Sequence, residues 1–60
     1  MVSIGDRVMV YEDPYTRDKP EGIATVTGVM MDATYANCLV LFDDEPDMGS
    51  LRRTVYTGDM

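Results

Sequence analysis

Apolar and polar positions alternate over residues 7–12, Arg-Val-Met-Val-Tyr-Glu, and this period of two predicts a β-strand. Val8 and Val10 share one face, and Arg7, Met9 and Tyr11 share the other. β-Branched residues on the first face suit a half-buried pleated surface. Gly5-Asp6 is a turn pair that introduces the strand, after a short lead-in over residues 1–3. Asp13-Pro14 ends it, because proline has no amide hydrogen to offer a ladder and presses the preceding residue toward extended geometry. Residues 13–22 are polar, with two prolines and the charged Arg17, Asp18, Lys19 and Glu21. They are expected to form a ten-residue loop, long for a tight hairpin, with Tyr15 folded back onto the domain.

A second strand is predicted over residues 23–31, with Ala24 and Val26 on one face and Ile23, Thr25 and Thr27 on the other. Gly28 interrupts it, and a glycine inside a strand marks a bulge or a bend. Residues 29–31 should continue on a new heading, so that one strand serves both halves of a curled sheet. Residues 32–34 are the next turn. Tyr35–Phe42 is the most apolar strand, with Ala36, Cys38, Val40 and Phe42 on one face and Leu39 and Leu41 on the other. Residues 43–50 form an acidic loop, residues 51–57 a final strand around Val55, and residues 58–60 a tail. Nowhere do apolar residues recur with helical spacing, so no substantial helix is expected. Four or five short strands in one chain imply a small all-β domain, and sixty residues are too few for a sandwich.

Composition narrows this picture. Sixty residues allow one domain over residues 1–60, and a chain of this size buries only about 60% of the surface its unfolded form exposes. Cys38 is the one cysteine and there is no histidine, which excludes an internal disulfide and a structural zinc site. Stability therefore falls to packing or to association. A lone cysteine, no leader-like segment and no apolar run near membrane-spanning length fit a cytoplasmic protein. Eleven acids against five bases give a net charge of −6, which keeps a small domain soluble and argues against non-specific nucleic-acid binding.

The Gly5-Asp6-Arg7-Val8-Met9-Val10 opening resembles the start of many SH3-like barrels, including KOW-type and Tudor-type modules. The order of elements is also similar, from a long excursion after the first strand to a short last strand. The resemblance covers residues 4–57 and implies an SH3-like barrel of four to five antiparallel strands. Size and acidity also resemble those of small proteins of bacteriophages and mobile elements. Tyr11-Glu12-Asp13-Pro14-Tyr15 looks like the aromatic-acidic motif of signalling SH3 domains, but the chain has no tryptophan, so proline-motif recognition is not expected. A Tudor-type aromatic cage would require the four tyrosines to converge.

No residues suggest catalysis. Cys38 is expected as a small buried hydrophobe, and Ser3 and Ser50 have no base near them in sequence. Asp43, Asp44, Glu45 and Asp47 lack the spacing of a calcium loop and read as a solvated loop. No cofactor or metal is expected. Arg52-Arg53 is the one basic pair; its neighbours point to opposite faces, and an ion pair with Asp43 or Asp44 is expected there. With Arg17 and Lys19 these arginines are the candidates for contact with an anionic partner. The outward positions are more informative, because strand three is apolar on both sides. Met9, Tyr11, Leu39 and Leu41, with Tyr15 and Tyr56 nearby, form a candidate binding surface unless the 13–22 segment covers it. The expectation is a non-enzymatic module that binds a protein partner or itself. The alternatives are an acidic inhibitor or nucleic-acid mimic, and a KOW-like nucleic-acid binder using Arg17, Lys19, Arg52 and Arg53.

Overall fold

The computed structural model describes residues 1–58; the expected tail over 58–60 therefore lies largely outside the described residues. Four strands form one antiparallel sheet: β1 (Arg7–Asp13), β2 (Asp18–Met31), β3 (Tyr35–Phe42) and β4 (Leu51–Tyr56). Their order in the sheet is β1-β2-β3-β4, so each strand pairs with its neighbours in sequence. Gly28 does not split β2, and no fifth strand occurs among the described residues. A 3-10 turn, Pro46–Met48, breaks the acidic loop. Among the described residues no helix is long and apolar enough to cross a membrane. The barrel expected from the sequence is open on one side, because no ladder joins β4 to β1.

β2 shapes the sheet. It holds three register shifts, at which Glu21, Thr27 and Met30 are extra residues relative to the partner strand. Each bulge bends the strand and increases its twist. The bend expected at Gly28 therefore exists, and Thr27 beside it is the extra residue. The shift also reverses which side chains face inward. Val29 is brought opposite Cys38 and packs against the core, whereas an unbroken alternation would have put Gly28 there. At Gly28 the missing side chain matters, since a Cβ would sit 3.3 Å from Leu39 Cδ1.

Residues 13–22 are not a loop. β1 runs to Asp13 and β2 begins at Asp18, so the excursion is the end of a hairpin closed by four residues. Three bonds to Asp13 hold it: its Oδ1 accepts the amides of Tyr15 at 2.9 Å and Thr16 at 3.3 Å, and its carbonyl accepts the Arg17 amide at 2.9 Å. Arg17 and Lys19 adopt φ of 57° and 55°, a left-handed conformation that costs a non-glycine residue about 1 kcal/mol or more. Pro20 is tolerated because β3 stops opposite Ala24, leaving this part of β2 with β1 as its one neighbour.

Every position assigned inward by alternation is buried: Val8, Val10, Ala24, Val26, Ala36, Cys38, Val40 and Phe42, joined by Val55. Val2 joins them from the lead-in, its amide donating to Asp32 Oδ1 at 3.4 Å. Gly5, at φ 98°, makes the turn that docks this segment: its amide donates to the Val26 carbonyl, and the Val26 amide donates to the Asp6 carbonyl, both at 2.8 Å. At the far end, the Thr57 hydroxyl and amide donate to carbonyls of residues 33–34 at 2.8–3.1 Å.

Val40→Ala removes two methyl groups from a fully buried site and should cost about 2 kcal/mol in urea unfolding. Ile23→Ala, at a site 45% exposed, should cost less than about 1 kcal/mol. Equal losses at the two sites would mean that the outer face of the sheet is buried too.

Candidate functional site

The functional candidates gather where the sheet fails to close. β1 and β4 are its two free edges, and β1 runs close to β4 without bonding to it. Edge strands carry backbone groups that no ladder satisfies. A cleft of about 240 Å³ opens along this seam, bordered by Arg7, Val8, Met9 and Tyr11 of β1, by Thr54, Val55 and Tyr56 of β4, and by Pro14 and Arg17 of the hairpin tip. A second, more open cleft continues from it through the shared Tyr11, Pro14 and Thr54 to Tyr15, Asn37, Arg52 and Arg53.

The hairpin tip spans the gap. Its Asp13 cap directs Tyr15 back over the domain, where its ring centroid lies 4.6 Å from that of Tyr35. Tyr35 and Tyr56 are directly opposite in the β3–β4 ladder, with centroids 5.2 Å apart. The Arg17 guanidinium lies 5.2 Å from the Tyr56 centroid. Tilted ring pairs of this kind contribute about 0.5–1.5 kcal/mol each, and an exposed cation–π contact about 0.5–1 kcal/mol. A Cβ at Gly58 would collide with the Tyr56 ring, so the glycine two residues past the end of β4 leaves room for it. The tyrosines therefore converge, and Tyr15 folds onto Tyr35.

Arginines border the seam from both faces of β4. Arg53 stands opposite Cys38, on the inward side, with its guanidinium 5.6 Å from the Phe42 centroid. Its partner is Glu21, not the expected Asp43 or Asp44. Nε and one terminal nitrogen donate to the two carboxylate oxygens at 2.9 and 3.0 Å. The bulge explains the exchange, since it places Glu21 where an unbroken strand would not. This hydrogen bond raises the Arg53 pKa, so the guanidinium stays charged. Asp43 pairs instead with Arg7. Arg52 is exposed, on the outward side. Because the cleft runs along an edge, side chains from both faces of the strand line it, and the alternation of Arg52 and Arg53 does not separate them.

Of the residues named from sequence, Met9, Tyr11, Tyr56 and Arg17 meet in the first cleft, and Tyr15, Arg52 and Arg53 in its continuation. Leu39, 36% exposed, and the half-buried Leu41 stand on the outer face and border neither cleft. Met9 and Ile23 are 42% and 45% exposed, so the hairpin does not cover that face. Lys19 is exposed and borders neither cleft. Sequence reasoning missed Tyr35, Arg7 and Pro14; the register that sets Tyr35 against Tyr56 was the signal for the first.

Cys38 is fully buried, and its thiol pKa is raised by that burial and, less, by Asp32, so it stays protonated. Among the described residues no three His, Cys, Asp or Glu side chains converge on a point that a metal ion would occupy. Compared with known proteins, the chain matches no family model, no curated protein and no solved structure.

Glu21→Gln and Arg53→Gln, alone and together, should show a coupling of about 1 kcal/mol at low salt, a value kept small by partial exposure. The coupling should shrink in about 1 M salt. No coupling at low salt would mean that the bulge does not hold Glu21 against Arg53.

Proposed function

We propose that this chain is a non-enzymatic binding module, an SH3-like frame left open between its first and last strands, that takes up a protein partner along the seam. The observation that carries this reading is the convergence of Tyr11, Tyr15 and Tyr56 with the arginines on two free strand edges. Exposed aromatic and arginine side chains are the residue types that supply most interface energy. A free edge adds backbone groups that an extended segment can satisfy. Leu39 and Leu41 border neither cleft and stand outside this proposed surface. The alternative reading, an acidic inhibitor or nucleic-acid mimic, rests on the net charge of −6. The lone, buried Cys38 suits a reducing cytoplasm.

Photo-crosslinking separates the two surfaces. A photoreactive residue replacing Tyr11 or Arg52 should yield discrete adducts in the source cell, and one replacing Leu39 should not. Adducts from position 39 alone would move the site to the outer face and contradict this reading.

A further inference from the structure

β1 is joined to the sheet on one side only. Its ladder is with β2, and no ladder links it to β4. The lead-in before it is tied to the same strand. Gly5 and Asp6 bond to Val26, and the Val2 amide reaches Asp32, just past the end of β2. Residues 1–13 therefore behave as one unit. It carries Val2, Val8 and Val10 into the core, and the turn over residues 14–17 connects it to β2.

That turn sets two effects against each other. Asp13 holds it closed, with Oδ1 accepting the amides of Tyr15 and Thr16 and its carbonyl accepting that of Arg17. Against this, Arg17 closes it at φ 57°, in the left-handed region that glycine enters freely and a side chain enters under strain. Pro14 suits an extended chain as well as a turn, because it presses Asp13 toward extended geometry. A short, strained hinge favours exchange of the element it carries between two copies. The open form loses the contacts of the turn and keeps the rest. Residues 14–17 run straight, Arg17 leaves the left-handed region, and residues 1–13 take the same place on β2 of a second copy. Small domains also draw stability from association, since sixty residues bury a limited core.

We propose that this chain forms a dimer by exchanging residues 1–13, with the turn at residues 14–17 as the hinge. The exchange is reciprocal, so it closes on two copies about a two-fold axis. It also changes the ownership of the seam. Arg7, Met9 and Tyr11 of one copy border each cleft together with Thr54 and Tyr56 of the other. The dimer carries two such clefts, and neither is complete without the second copy. The exchange concerns how the seam is assembled, and it stands or falls independently of what the seam takes up.

Disulfide trapping tests the exchange. Met9 and Ile23 stand opposite each other in the β1–β2 ladder and are exposed, whereas Cys38 is fully buried. The variant Met9→Cys/Ile23→Cys is refolded from urea under reducing conditions, at about 10 μM and at about 1 mM, because association depends on concentration. Size-exclusion chromatography with light scattering separates monomer from dimer, and each fraction is then oxidised. The concentrated sample should yield a dimer whose two chains become covalently linked, while the monomer forms its bond within one chain. In the natural background, Arg17→Gly should weaken the dimer at least about tenfold and Asp13→Ala should strengthen it at least about tenfold, because each dimer holds two hinges. A dimer whose disulfides all lie within single chains would be a surface contact and would overturn the proposal. A strict monomer at the higher concentration, for the natural chain and for Asp13→Ala alike, would overturn it too. So would an unchanged dimer affinity in both hinge variants, since the turn would then not govern the exchange.

Discussion

One strand has to do two jobs in this protein. Sixty residues provide a single thin core, and β2 must pair with β1 along its first half and with β3 along its second to enclose it. A straight strand of fourteen residues would leave a flat sheet with both faces wet. The three bulges at Glu21, Thr27 and Met30 supply the curvature instead. Everything else follows from that bend. It gathers Val10, Val26, Val40 and Cys38 into a fully buried centre. It turns Val29 inward, and it brings Glu21 to Arg53, over the Phe42 end of the core.

The same bend brings β1 toward β4 without bonding them. A sheet with two free edges has an energetic problem, since unpaired backbone groups invite association. Here side chains bridge the gap that the backbone leaves. The hairpin tip, pinned by Asp13, reaches across with Tyr15 and Arg17 to the Tyr35–Tyr56 pair. These contacts are each worth about 0.5–1.5 kcal/mol, so the closure is weak beside the core. Weak closure over free edges is the property a binding seam needs, because an incoming segment displaces little.

Much of the fold was legible in the residues. The alternation of Val8 and Val10, and of Ala36, Cys38, Val40 and Phe42, placed the core correctly, and Gly28 marked a real bulge. The hairpin was not legible. Its closure depends on an aspartate capping two amides and on Arg17 and Lys19 accepting left-handed geometry, which neither residue advertises. Pro20 argued against a strand, and the early end of β3 removed that objection. The site was legible in its parts but not as a whole. Tyr11, Tyr15, Tyr56, Arg17, Arg52 and Arg53 were all singled out, yet divided between an apolar and a basic surface. They join only because both edges of the sheet meet at one seam, a consequence of curvature that no local pattern encodes. The Glu21–Arg53 pair escaped notice for the same reason, since a bulge set its register.

The central claim is that the seam between β1 and β4 is open at the backbone and bridged by side chains. Residue-resolved amide hydrogen exchange tests it most directly. Amides of β1 and β4 that point away from β2 and β3 should exchange at near solvent rates, while those within the β1–β2, β2–β3 and β3–β4 ladders are protected. Uniform slow exchange along both edges would show that backbone hydrogen bonds close the sheet, and the account of the site built on its opening would be wrong.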